Sequence, residues 1–333
     1  MYLAEVEGKG GINTKLVAYS VSPEGKKIAT FELTYHRYIH GEFMTHRLFS
    51  RNAMSSRAVP VNKMLDIIRE APAMPIHWGK NQPGMQAKEE CDERIFESGN
   101  YWTREEWWKE AAYEACESAQ KMADAGYHKQ IVNRLVEPFQ MMKTVMTATE
   151  LDNFFWLRLD ADAQPEIVEL AKGIRACLLK STPELLQPGE WHTPYVGHKN
   201  TAQRGVLYYV QDGEELKFIS KEEALAISSS CCAQVSYRNL DNTYEKAMAI
   251  YGRLLNGAKV HASPFEHQAT PIQESVSDPL LGEPINCQDW NRSWEEGITH
   301  VDRRGNFWSG NFCGFVQHRQ LLDNHNCTDY QPD

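Results

Sequence analysis

Between Thr30 and Tyr35 the chain reads Thr-Phe-Glu-Leu-Thr-Tyr, with apolar and polar positions in strict alternation. Successive strand side chains point to opposite faces, so this period of two predicts a strand with one buried face. The pattern predicts strands over 12–23 and 27–45, joined by a Pro-Glu-Gly-Lys turn. The period then lengthens. Val61 to Arg69 repeats at helical spacing, and Pro72 to Gln86 reads as an ordered loop. Thr103-Arg-Glu-Glu106 is a capping box opening a long amphipathic helix that Gly126 stops. A second helix is expected from His128 to Val136, ending at Pro138, and a strand from Met141 to Ala148.

Thr149 is the expected cap of a further helix that buries Phe154 and Phe155, and Pro165 sits at the first turn of the next, which runs to about Lys180. Ser181 to Gly213 is rich in proline, glycine and histidine and reads as a linker or domain seam. Helices are expected over Glu222–Ser229 and Thr243–Gly257, strands around Glu266–Pro271 and Phe312–Gln317, and a long insertion over 273–309. The fold class is α+β, an antiparallel sheet with long helices. Its two parts, 1–187 and 188–333, are expected to form one intertwined domain.

A chain of 333 residues with 42% hydrophobic and 24% charged residues is ordinary globular material. No apolar run reaches the ~20 residues of a membrane span, and the N-terminus lacks the basic start and apolar core of a signal peptide. A cytoplasmic protein is expected. The net charge of −10 argues against broad nucleic-acid binding. Eight cysteines without a C-x-x-C pair are expected to be reduced thiols, and no metal site is expected. Cys231-Cys232, just before Ser236, are candidates for a nucleophile, but no histidine partner is fixed by sequence. Neither a glycine-rich phosphate loop nor a G-x-S-x-G elbow is present.

His46 to Ala58 carries three arginines, a histidine and three serines directly after an apolar-alternating run. Guanidinium forks beside hydroxyls at a sheet edge suit phosphate or another anion. Ser55 and Arg57, two apart, could face one anionic ligand.

His46-Arg47, seven residues, then Ser55 and Arg57 resembles the signature of the flavin-dependent thymidylate synthases (the ThyX type), which read Arg-His-Arg, seven residues, Ser, with an arginine two further on. Gly126 to Ile167 resembles that family's helical half, with its Ala-Arg-x-x-Leu-Pro, Asn-Phe-x-x-x-Arg and Ala-Gln-x-Glu-Ile blocks. Ala233-Gln-Val-Ser-Tyr237 and His261-Ala-Ser-Pro-Phe-Glu-His267 resemble two more blocks. Together these segments cover roughly half of the chain. In the family the last two blocks come first, so the chain looks circularly permuted, which surface termini tolerate. Gly314 to Leu322 reads again like a strand ending in His-Arg, a possible duplicate whose His318-Arg319 could restore a missing contact.

The resemblance implies FAD, NADPH and methylenetetrahydrofolate as cofactors, dUMP as the small-molecule substrate, and a homo-oligomer with sites at subunit contacts. Residue by residue it implies that Ser55, Arg57, Arg134 and Arg158 bind the nucleotide, with Arg158 and Ser55 catalytic. His46, Arg47, Asn153, Ser236, His261, Ser263 and Glu266 would hold the flavin. Four positions depart from the pattern: Thr45 and Gln234 replace arginines, Ala53 an acidic residue and Asp162 a histidine. They leave room for a deoxypyrimidine C5-hydroxymethylase on the same scaffold, or a silent nucleotide- or flavin-binding protein. Enlargement and permutation together suggest a phage-encoded enzyme.

Overall fold

The structure is a computed structural model that describes residues 2–201, 205–212, 215–236, 243–256, 259–273 and 294–329. Strands β1 (Ala4–Glu7), β2 (Asn13–Val21) and β3 (Lys27–His36) form an antiparallel meander. After the short helix α1 (His40–Phe43), strand β4 (Ser50–Ala53) leads to helix α2 (Val61–Glu70). A small hairpin of β5 (Ile95–Glu97) and β6 (Asn100–Trp102) precedes helices α3 (Arg104–Asp124) and α4 (Lys129–Val132). Strand β7 (Met141–Ala148) then enters the main sheet between β3 and β4, giving the order β1-β2-β3-β7-β4. Helices α5 (Asp152–Arg158) and α6 (Pro165–Leu179) follow, and β8 (Glu184–Leu185) extends the sheet parallel to β2.

The alternation in β3 does what its period predicts. Ala29, Phe31, Leu33 and Tyr35 share one face and pack with Ile167, Leu170 and Ile174 of α6 in the main core. Gly173 lets α6 lie close, since a Cβ there would stand 2.5 Å from Thr14 Oγ1. The capping box at Thr103 forms as expected, Glu106 N donating to Thr103 Oγ1 and Thr103 N to a Glu106 carboxylate oxygen. With α2 and α4, α3 builds a separate helical core around Leu65, Ile68, Cys116 and Val132.

The second part of the chain supplies β9 (Gly197–Thr201), β10 (Gly205–Asp212) and β11 (Glu215–Ile219), an antiparallel sheet beside helix α7 (Lys221–Ala233) and helix α8 (Tyr244–Leu255). Strand β12 (Ala269–Pro271) pairs with the last strand; β13 (His300–Val301), β14 (Phe307–Ser309) and β15 (Phe312–Cys313) form a small ladder before that strand, β16 (Phe315–Gln317). This part covers the other face of the main sheet. Ile28 packs with Ala269, Phe312 and Phe315. Across the same seam runs a fully buried polar chain: Ser20 Oγ to His192 Nδ1 (2.9 Å), His192 Nε2 to Thr30 Oγ1 (2.8 Å), Thr30 to Thr147 (2.7 Å), and Thr147 to His267 Nδ1 (2.8 Å). Burial holds both imidazoles neutral, with His267 pushed down to about 3.

Several expectations need correction. The strand over 27–45 stops at His36, because its partner β7 begins at Met141 and offers no further ladder. The helix expected to Val136 ends at Val132: Asn133 turns its amide to Ser56 O and Val59 O, and its own carbonyl accepts from Gln140. Thr149 does not cap α5; Leu151 holds that position, and the Thr149 hydroxyl accepts from Cys313 N instead. The linker or domain seam expected at 181–213 carries buried positions among its described residues. Its prolines and glycines mark turns, while Leu186, Trp191, His192 and Thr193 between them are buried. The proposed strand near Glu266 begins at Ala269, after a short helical turn over Ser263–Glu266, and Gly314 (φ 74) splits the expected strand 312–317. Of the expected insertion, 274–293 lies outside the described residues, whereas 294–309 carries β13 and β14.

Candidate functional site

The candidate residues gather around β4. On one side, α1 and the segment after it meet the C-terminal end of α5. Arg158 Nε donates to His46 Nε2 at 2.9 Å, its Nη1 pairs with Glu42, and its Nη2 reaches Thr45 Oγ1 at 3.5 Å. An imidazole nitrogen that accepts carries no proton, so the His46 proton sits on Nδ1. His46 stacks on Phe49 and meets Phe154 edge-on. Its pKa is pushed down to about 4, first by burial, then by the charges of Arg158 and Arg51. The imidazole is therefore a fixed neutral acceptor that orients a guanidinium.

Past the end of β4, the Ser55–Arg57 turn faces the segment after α4. Arg57 N donates to Ser55 Oγ at 3.3 Å. Ser56 Oγ, Arg134 Nη1 (3.2 Å) and Arg37 Nη2 (2.8 Å) all converge on Glu137 Oε1. This carboxylate stands where the resembled Ala-Arg-x-x-Leu-Pro block has leucine. It brings Arg134 beside the Ser55–Arg57 turn and leaves Arg57 exposed.

From the second part of the chain, the turns at 234–236 and 263–266 pack against β4. Between them lies a cleft of about 340 Å³ whose walls include Arg51, Ala53, Val235, His261, Ser263 and Pro264. Asn52 anchors its floor by donating to Cys232 O at 3.2 Å. Among the described residues, no carboxylate lines this cleft. Glu266, one turn further on, is ion-paired with Arg319. The donor set of guanidinium, imidazole and serine hydroxyl fits a phosphate-bearing group such as a flavin nucleotide.

Of the residues singled out by sequence, His46 and Arg158 are in contact, Ser55, Arg57 and Arg134 share one cluster, and His261 and Ser263 line one cleft. Arg47 is exposed beside them and within electrostatic reach of Arg51. Asn153 stands exposed on α5 and, among the described residues, makes no hydrogen bond to the others. Ser236 closes the 234–236 turn, its side chain lying outside what the structure describes, as does Tyr237. Arg319 holds Glu266. Asp162 is exposed, its carbonyl accepting from Gln86, and Gln234 is buried on α7's end. Cys231 and Cys232 are buried, and burial pushes the Cys232 thiol far up, so Cys232 offers no thiolate. Two residues escaped the sequence reading: Glu42 and Glu137. Glu137 is three after Arg134 and Glu42 four before His46, helical-turn spacings that could have flagged both. Arg51 belongs to the arginine- and serine-rich cluster of 46–58, which marks it as an anion ligand but not which cleft it faces.

No curated protein matches the chain. Residues 21–184 match the family model for the thymidylate synthase complementing protein, a stretch that contains His46, Ser55, Arg57, Arg134 and Arg158. The match covers just under half of the chain and supports a protein of the flavin-dependent thymidylate synthase type.

Proposed function

We propose that the protein catalyses reductive C5-methylation of dUMP to dTMP, with methylenetetrahydrofolate as carbon donor and NADPH as reductant. The observation that carries this reading is the convergence on β4. The arginine clusters of the matched segment lie on either side of it, and the 261–266 turn, from outside that segment, closes over it. We read that turn and the 233–237 block as the family's leading blocks in permuted order, which makes a smaller oligomer than the family's tetramer sufficient.

Ser55, Arg57 and Arg134 take the nucleotide phosphate, Arg134 exchanging Glu137 for the ligand. Arg158, aimed by Glu42 and His46, sits against the pyrimidine, where a guanidinium stabilises negative charge developing on the ring. His46, Arg47, Asn153, Ser236, His261, Ser263 and Glu266 surround the flavin. FAD, when bound, supplies the transfer of carbon and hydride to the base. No side-chain nucleophile is required, in keeping with the buried Cys231 and Cys232.

The test is product mass. Purified protein with FAD, NADPH, methylenetetrahydrofolate and dUMP is expected to add a methyl group to dUMP and nothing to dCMP. A hydroxymethyl gain would replace this reading with a C5-hydroxymethylase, the variant that Thr45 and Ala53 allow, and a gain on dCMP would make cytosine the base. No gain and no bound flavin would leave a silent binding protein.

A further inference from the structure

Three half-buried guanidiniums around the site are matched to carboxylates: Arg158 to Glu42, Arg37 to Glu137 and Arg319 to Glu266. Arg51 is not. Its Nη1 donates to Phe43 O at 3.1 Å and its guanidinium lies 6.0 Å from the Phe43 ring centroid, but no carboxylate among the described residues comes within ion-pair distance. Glu266 lies within electrostatic reach of Arg51 but is engaged by Arg319. A desolvated cation without a counter-ion is costly, and burial accordingly lowers the Arg51 pKa. Arg51 opens onto this cleft, which the exposed Ser263 and His261 also line and which no carboxylate among the described residues lines.

We infer that Arg51 is the anion anchor of this cleft, binding the phosphate of a nucleotide ligand together with Ser263 and His261. Resting on the reading above, it supplies the cation lost at two positions. The Thr45 hydroxyl donates to Glu42 O, and Gln234 is buried on α7's end. The shared chemistry is a phosphate ester, from either the flavin dinucleotide or the pyrimidine nucleotide.

Calorimetric titration of wild type, Arg51→Met and Arg51→Lys with FAD, riboflavin, dUMP, deoxyuridine and pyrophosphate decides it. Arg51→Met is expected to weaken a phosphorylated ligand about tenfold to a hundredfold, the worth of a charge-assisted hydrogen bond, and to spare its unphosphorylated counterpart. Arg51→Lys recovers part of the loss, and an unchanged melting curve shows that the fold is intact. A loss confined to FAD puts the anchor at the flavin diphosphate, and a loss confined to dUMP puts it at the substrate phosphate. Wild-type affinity in Arg51→Met, or equal losses for riboflavin and deoxyuridine, overturns the inference. If wild type binds neither FAD nor dUMP, the thymidylate reading falls. Pyrophosphate binding that Arg51→Met abolishes would then keep the anchor, and no pyrophosphate binding would sink it too.

Discussion

Arg158 and Arg134 each sit at the end of a helical turn and each pair with one carboxylate, yet solvent makes them different objects. The side chains of Arg158 and Glu42 are 17% and 30% exposed, beside the ring cluster of Phe43, Phe49 and Phe154. The Arg134 side chain is 58% exposed, and it shares Glu137 with Arg37 and Ser56. A surface pair is worth about 0–1 kcal/mol and is screened by salt, whereas desolvation makes an inner pair stronger and its rupture costlier. Arg158 is therefore aimed before any ligand arrives. Arg134 can trade its carboxylate for a phosphate at little cost. A rigid guanidinium suits charge that develops during reaction, and an exchangeable one suits a group that must bind and leave.

The sharpest break would come from Arg158→Ala. It should lower product formation about a hundredfold or more, the usual loss for a preset charge-stabilising donor. Arg158→Lys should not restore it, because an ammonium cannot serve Glu42 and His46 together. Steady-state product assays read both variants, and near-normal turnover in either would dissolve the contrast between the two arginines.

Buried histidines extend the comparison to pH. Burial pushes His267 to about 3 and His318 to about 4, while both rise to about 6.5 on unfolding. Between pH 6.5 and 4 the unfolded chain thus binds more protons, so stability falls as pH falls through that window. Each should cost roughly 2 kcal/mol at pH 5 relative to pH 7.5. Denaturant melts at the two pH values measure this, and His267→Gln should flatten the dependence. A flat profile in wild type would contradict the neutral seam.

Smaller effects attach to the outer cluster. Glu137→Gln should tighten dUMP by about threefold to tenfold, by removing a carboxylate that competes with the phosphate. It should cost about 1 kcal/mol in stability, since Arg37 loses its counter-ion. Calorimetry and melting read the two terms separately, and weaker dUMP binding would place the phosphate elsewhere. Arg134→Ala should be smallest in stability, within about 0.5 kcal/mol, while weakening dUMP in a salt-dependent way.

How much of this was legible in the chain follows from the range of the forces involved. The alternation of β3, the capping box at Thr103 and Pro165 opening α6 are local signals, and each formed where read. Thr149 failed as a cap because a distant strand claimed its hydroxyl, and His192, in the expected linker or seam, is buried and bonds across to Ser20 and Thr30. The candidate residues were legible through resemblance, but their partners were not. Glu42 and Glu137 stand at helical-turn spacing from His46 and Arg134, but which guanidinium each would hold depends on turns that form only in the fold. Arg51 sits on a strand whose cleft exists only after residues more than two hundred positions later close over it.

In the proposed function, residues outside 21–184 complete a flavin site on the matched segment. Titrating FAD into wild type and into the His261→Ala, Ser263→Ala double variant tests it most directly, since both side chains are exposed and their loss should leave the fold intact. The expected result is saturable FAD binding in wild type that falls about tenfold or more in the variant, with unchanged melting. Equal FAD affinity in the two proteins would contradict the account, because the flavin would then be held by the matched segment without the cleft.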